Sequence, residues 1–458
     1  MNIETIVAEQ DAFYRTGATR PLAFRRKQLQ RLKEAIRKNE SAMVEALQED
    51  LGKSAYESYL SEVGFVLDEI RFILPRLSGW MKPRRVRTPL LGFPGASRRI
   101  PEPYGRVLII APWNYPILLA LSPLIGAIAA GNCCVIKPSE LSPRTSAVLA
   151  RIITETFAEN YITVVEGGPE ASIGLLEARF DKIFFTGSTH IGRKVMAAAA
   201  RHLTPVTLEL GGKSPCIVAK DADLALASRR IVWGKFLNTG QTCVAPDFLT
   251  VHRTVREPLL AHILSDIRSF FGKTPRLSPD YGRIISHGHF DRLTGLIDAC
   301  KGTLVIGGDR ERKTRYIAPT VFDDVAWDAP IMEEEIFGPL LPVISYDSIA
   351  SVQEEVSRRP KPLALYLFTK NRKIENQLVN TMSFGGACIN DTLLHMATHY
   401  LPFGGVGDSG TGQYHGKASF DTFSHTKSVM KRYFLPEPPV RYPPYRKRSS
   451  RLLRLLLR

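Results

Sequence analysis

Cysteine is scarce in this chain: there are six in 458 residues, and none stand as Cys-x-x-Cys. Cys133 and Cys134 are adjacent, the others are scattered, and no compact His/Cys cluster occurs. Neither a disulfide framework nor a metal site is therefore expected, and a reducing, cytoplasmic setting fits best. Long apolar runs are missing too. Nowhere do about eighteen apolar residues follow one another, which excludes a spanning helix on length grounds. The opening Met1-Asn2-Ile3-Glu4 carries an acid where a secretory leader would be apolar. Acidic residues are the minority, 45 against 61 basic, giving a net charge of +16. Arg441 to Arg458 holds seven basic residues and no acid, and 16 less 7 leaves +9 for the body. That surplus suits an anionic cofactor or non-specific nucleic acid. No nucleic-acid motif accompanies it, so no specific nucleic-acid partner is expected.

What is present is ordinary in bulk. With 44% hydrophobic and 23% charged residues the composition is that of a soluble globular protein. The length calls for about two or three domains. Residues 20 to 80 read as helical: Leu29, Leu32 and Ile36 recur at helix spacing, and Gly52 is a stop signal. Val63, Val66, Leu67, Ile70, Leu74 and Leu77 form a second stripe. From Gly105 strands and helices alternate. The expected strands are Val107 to Ala111, Cys133 to Lys137, Thr163 to Val165, Lys182 to Phe185 and Val206 to Leu210. Helices are expected over about 117–130, after a Ser142 cap, and over 192–202. Such repeats imply a doubly wound parallel sheet, with ligands beyond the carboxyl ends of its strands. A second α/β unit starts near Ser214, with strands Pro215 to Ala219, Phe248 to Val251 and Leu363 to Thr369 and a helix 221–237. The change near residue 210 reads as a hinge, and the run Pro436 to Pro444 as the end of the globular part.

The chemistry concentrates between Leu208 and Asp247. Glu209 stands hard against Gly211-Gly212, and Asn238-Thr239-Gly240-Gln241-Thr242-Cys243 sets a cysteine in a small polar loop. A thiol, a carboxylate base and loop N–H groups are the parts of acyl-transfer chemistry. Singly, each stretch reads as well as a turn or a buried Cys; together and in order they favour chemistry. Pro112-Trp113-Asn114-Tyr115-Pro116 follows the first strand, and Asn114 offers a neutral amide donor. The second strand ends in Lys137-Pro138-Ser139-Glu140. The fourth ends in Thr186-Gly187-Ser188-Thr189-His190-Ile191-Gly192, where a helix N-terminus awaits a phosphate. The spacing is not G-x-G-x-x-G.

These stretches, with Glu335-Ile336-Phe337-Gly338-Pro339, resemble the motifs of the aldehyde dehydrogenase superfamily in its order, over about residues 20 to 430. The block Leu203 to Glu209, and Leu401 to Gly407 followed by Tyr414 to Lys417, place the resemblance closest to the class 3 branch, which includes fatty aldehyde dehydrogenases. The resemblance implies an aldehyde dehydrogenase-like α/β fold. A doubly wound cofactor domain would span 1–208, with a bridging segment at about 81–104. A catalytic domain would span 209–400, a return and oligomerisation segment 401–445, and a basic amphipathic tail 446–458. It implies NAD or NADP as cofactor, a homodimer, and oxidation of aldehydes to acids through a Cys243 thiohemiacetal and thioester. Glu209 would be the hydrolytic base, with Asn114 and the Cys243 N–H as oxyanion donors. Lys137 and Glu140 would hold the adenine-side ribose, and Trp113, Thr186, Gly187, Ser188, Ile191, Gly192 and Leu210 would line the rest of the dinucleotide. Glu335 would hold the nicotinamide ribose and Phe337 the ring, while Tyr115 and Leu393 are candidate channel walls.

Three matters stay open. Glu140 favours a 2′-hydroxyl, whereas Lys137 and the basic surface favour a 2′-phosphate. The acceptor of the thioester is water, or coenzyme A in an acylating relative, with a non-catalytic membrane-associated protein as the further alternative; the presence of both Cys243 and Glu209 favours water. In the tail, Arg451, Arg454 and Arg458 would share one helical face opposite five leucines. Such a helix suits weak peripheral contact with the inner face of an anionic membrane, or packing on protein.

Overall fold

Short runs of aliphatic and β-branched residues, unbroken by polar alternation, form the centre of the molecule. In the computed structural model, which describes residues 2–435, 442–444 and 453–454, five of them lie parallel in one sheet. They are Arg106–Ile110, Cys133–Lys137, Ile162–Val164, Lys182–Thr186 and Val206–Glu209. Strands covered on both faces have no need of alternation. Arg106–Ile110 sits between Cys133–Lys137 and Lys182–Thr186, so the strand order reverses there, with Gly410–Thr411 antiparallel at the outer edge of Val206–Glu209. A crevice opens at the carboxyl ends beside such a reversal. The turns at 112–116 and 187–192 leave these two neighbouring strands, and so meet at that crevice.

A second sheet of seven strands contains Pro215–Val218 between Phe248–His252, its central strand, and Ala364–Phe368. All its pairings are parallel except that of Thr303–Ile306 with Thr320–Asp323. Five residues, 210–214, carry the chain from the carboxyl end of the first sheet to the amino edge of the second. Cys243 precedes Phe248–His252 and therefore stands at an amino end. The expectation that all the motifs lie beyond carboxyl ends holds for the first sheet alone, because the cysteine loop is the lead-in to its strand and not the exit.

Helices cover the sheets. Pro116–Ala130 is buried along its whole length. Gly52, at a φ of 67°, ends Glu40–Leu51 as expected. Ser142 precedes Pro143–Thr156, yet its hydroxyl turns to the Ser139 carbonyl. Asp50 caps that helix instead, accepting from the N–H groups of Arg144 (3.2 Å) and Thr145 (2.8 Å). The helix expected over 192–202 is Thr189–Ala200: Ser188 Oγ accepts from Ile191 N–H and starts it inside the glycine turn. Asp223 likewise starts Leu224–Phe236, three residues later than expected. The third strand begins one residue earlier than expected. A three-stranded antiparallel sheet of Arg84–Val86, Gly95–Pro103 and Ser424–Arg432 joins the bridging and return segments. The tail expectation lies outside the described residues except at Leu453 and Arg454, which are helical. Among the described residues no helix is long and apolar enough to cross a membrane.

Candidate functional site

The cysteine loop is held in an uncommon shape. Asn238 and Thr239 both take left-handed φ values, 51° and 56°, a region where a β-branched residue is strained. Buried hydrogen bonds maintain it. Glu57 accepts from Asn238 N–H at 2.8 Å, and Asn238 Nδ2 donates to the carbonyls of Asn114 (2.7 Å) and Gln241 (3.1 Å). Gln241 is anchored in turn to Arg283 O and Ile285 N–H. Cys243 emerges half-buried. Burial pushes its thiol up, the charges of Glu335 and Glu209 add to the rise, and the N–H groups of Cys243 and Val244 oppose it. Burial thus favours the thiol, and a neighbour must take its proton before the sulfur can attack.

Two carboxyl groups flank that thiol. Glu209, the last residue of its strand, is 2% exposed, and neither oxygen has a hydrogen-bond partner among the described residues. Burial alone raises it well above the carboxylate range. Glu335 lies against Gly211, where a Cβ would stand 1.9 Å from its Oε2, so any larger residue there would displace that carboxylate. Burial and the Asp247 charge raise Glu335 to about 8, against the Gly212 N–H and the charges of Lys213 and Arg292. Asp247 accepts from Ile336 N–H at 2.9 Å and from Lys213 Nζ at 2.5 Å, which ties the 333–339 segment to the cysteine loop.

The two halves of the site are hydrogen-bonded to each other. Asn114 is buried and its Nδ2 donates to Gln241 O at 3.1 Å, while Tyr115 OH and Thr242 Oγ1 are 2.6 Å apart. The Trp113 ring meets Phe337 at 5.3 Å and His289 at 5.0 Å. Leu393 is buried; its N–H bonds the Tyr366 hydroxyl, which donates to Val244 O at 2.5 Å, next to the thiol. Along the 186–192 turn, Gly187 N–H donates to Glu209 O, and Gly192 is pressed against Leu210, whose side chain is thereby buried. Ser188 and Ile191 are exposed. Lys137 is buried with its head 2.9 Å from the exposed Glu140 carboxylate. The orphaned Thr186 hydroxyl, the exposed helix start and this ion pair fit a dinucleotide, with phosphate at the helix and ribose at the carboxylate.

Several site residues escaped the sequence. Lys53, Glu57 and Glu62 sit among helical residues where a charge normally means solvent, yet all three are buried here. Tyr414, marked in the sequence only as part of the class 3 block, is a buried phenol near Glu209 and Cys243.

A family model described as "Aldehyde dehydrogenase family" matches residues 1–429. The 4,4'-diaponeurosporen-aldehyde dehydrogenase of Staphylococcus aureus is 48% identical over 444 residues, 97% of each chain. Aldehyde dehydrogenase family 3 member B1 of Homo sapiens is 46% identical, covering 99% of this chain and 96% of its own. Among solved structures, the substrate-bound state of Staphylococcus aureus AldH superposes with a TM-score of 0.98 at 47% identity, over 100% of both chains.

Proposed function

The chain belongs to the aldehyde dehydrogenase family and oxidises aldehydes, and on that premise we propose how its residues divide the work. Glu209 or Glu335 takes the proton of Cys243, whose sulfur attacks the aldehyde carbon. The negative oxygen of the thiohemiacetal is met by the Cys243 N–H and by the Asn114 Nδ2 hydrogen not given to Gln241. Bound NAD or NADP supplies the hydride acceptor. Glu209, any proton it holds first released to solvent, then takes a proton from the water that hydrolyses the resulting thioester, and Cys243 leaves as the thiolate to be reprotonated. The observation that carries this reading is Glu209 itself: a buried carboxyl with no partner, at a strand end beside a thiol, holds its proton tightly and so is a strong base once it has lost it.

Lys137 and Glu140 bind the adenine-side ribose, the 186–192 turn with Leu210 and Trp113 the adenine and pyrophosphate, and Glu335 and Phe337 the nicotinamide end. Glu140 keeps a solvent-facing oxygen that accepts from a 2′-hydroxyl, while its ion pair with Lys137 occupies the cation a 2′-phosphate would need. This supports NAD over NADP. The substrates we assign are medium- to long-chain, aromatic or isoprenoid-like aldehydes, with Tyr115 and Leu393 as channel walls; the carotenoid-type aldehyde in the name of the staphylococcal relative supports that class. A homodimer is supported by the bridging sheet, which leaves Leu90, Phe93 and Phe434 exposed in the single chain. We place the enzyme in the cytoplasm, in weak reversible contact with a membrane surface through its basic tail. Absorbance of the reduced cofactor, followed over a panel of aldehydes with NAD or NADP and with or without coenzyme A, tests the reading. A rate that requires coenzyme A overturns hydrolysis by Glu209, and a uniform lack of turnover overturns the whole.

A further inference from the structure

Lys53 and Glu62 are 0% exposed and form an ion pair at 2.5 Å. Glu62 Oε2 also accepts the N–H groups of Ile117 (2.9 Å) and Leu118 (3.3 Å), two of the donors left free in the first turn of Pro116–Ala130. It reaches them from a single turn of π-helix, Tyr59–Val63, a feature that often marks functional sites. Lys53 Nζ donates to the main-chain carbonyl of Asn114 at 3.0 Å and lies 4.0 Å from the centroid of the Tyr115 ring. Asn238 Nδ2 gives the same carbonyl a second donor. The peptide between Asn114 and Tyr115 is therefore held by a charged donor, and the helix that follows it by that donor's counter-ion.

A buried ion pair is a poor stabiliser, because desolvation offsets the attraction and an apolar pair often does as well. Orientation is what a charge-assisted hydrogen bond adds here. The tilt of the 114–115 peptide sets where Asn114 Nδ2 points, and a misplacement of about 1 Å at a reacting centre costs on the order of a hundredfold in rate. The geometry points to Lys53, locked by Glu62, as the positioning residue for the Asn114 amide: it fixes that peptide so that Nδ2 faces the oxygen that turns negative. The inference rests on Asn114 being the oxyanion donor.

The test is the charge-neutral double variant Lys53→Met with Glu62→Gln, which leaves an acceptor for Ile117 N–H and no unpaired charge. The expected result is a kcat lower by about tenfold to a hundredfold, with aldehyde KM and dinucleotide Kd within about threefold and Cys243 alkylation by iodoacetamide unchanged. Asn114→Ala alone costs about a hundredfold, and adding the double substitution to it costs less than about threefold more, since both act through one group. A parent-like kcat in the folded double variant, a loss confined to KM, or losses that multiply overturn the proposal. If Asn114→Ala itself keeps the parent kcat, the oxyanion assignment falls and the positioning role with it. An impaired Asn114→Ala beside an unimpaired double variant removes the positioning role alone. Should the double variant not fold, Lys53→Arg keeps the charge that pairs with Glu62 while its planar head cannot donate to the Asn114 carbonyl from the same place. The same split of kcat from KM is expected there, and parent-like kcat in that protein overturns the proposal.

Discussion

A thiol between two carboxyl groups that burial favours as neutral can pass its proton to either of them only after that group has lost its own. Glu209 acts as a base in its deprotonated form, and burial holds its pKa well above the usual range. Turnover limited by hydrolysis should then climb with pH above the usual carboxylate range, and a rate that does not rise with pH removes Glu209 as the limiting base. Glu209→Gln should release one rapid equivalent of reduced cofactor and then stall, as read by stopped flow. Unchanged steady-state turnover would hand the role to Glu335, whose carboxyl, raised to about 8, is the other base beside the thiol. Cys243→Ala should lower aldehyde oxidation below about a thousandth of the parent while dinucleotide affinity stays within a few fold, because no other described group supplies the covalent step. Residual activity above that level defeats the assignment. At this scale the sequence was informative where a residue's type is itself unusual: a cysteine in a polar loop, a carboxylate on Gly-Gly. It was silent on Lys53 and Glu62, because nothing local separates a buried charge from a solvated one.

Buried acids on helices also make stability depend on pH. Glu69, in Gly64–Trp80, ties its helix to Pro116–Ala130 and Lys417–Thr422 by accepting from Ser122 and Ser419. Burial raises it from 4.5 to about 7, with those hydroxyls and the Gly416 N–H limiting the rise. The folded protein thus keeps a proton that the unfolded chain releases above 4.5. Its favourable contribution is complete below 4.5 and is lost as pH climbs through about 7. Glu69→Gln is neutral throughout, so the Tm difference from the parent should move in the variant's favour between about pH 4.5 and 7.5 in melting curves. A difference that stays constant or moves the other way shows that Glu69 is already ionised when folded. Element identity was legible because apolar stripes and runs differ in period. Element starts were not. Ser142 looked like a cap, but Asp50, 92 positions away in the chain, holds that helix, and long-range caps leave no local mark.

For the whole molecule, two parallel sheets were foreseeable from alternating strands and helices, whereas the placement of Cys243 at an amino edge was not, since strand direction relative to a second sheet is a tertiary fact. The basic tail makes its prediction at this scale. Flotation with anionic liposomes should recover the full chain and leave behind a chain ending at Tyr445, because about 1 kcal/mol per basic residue is at stake near such a surface. Equal recovery of both, or of neither, ends the membrane reading. The return of the chain has a further consequence, for biosynthesis. Glu209 pairs with Gly410, and Gly95 with Arg432, so the edge of the first sheet closes only when the chain has grown by 201 residues beyond its strand, and the bridging ribbon later still. At roughly 5–20 residues per second, the Glu209 strand waits about ten seconds or longer outside the ribosome with an open edge. The nascent first half is therefore the stage at which a chaperone has most to protect, and a stop codon shortly before residue 410 would leave that edge open for good.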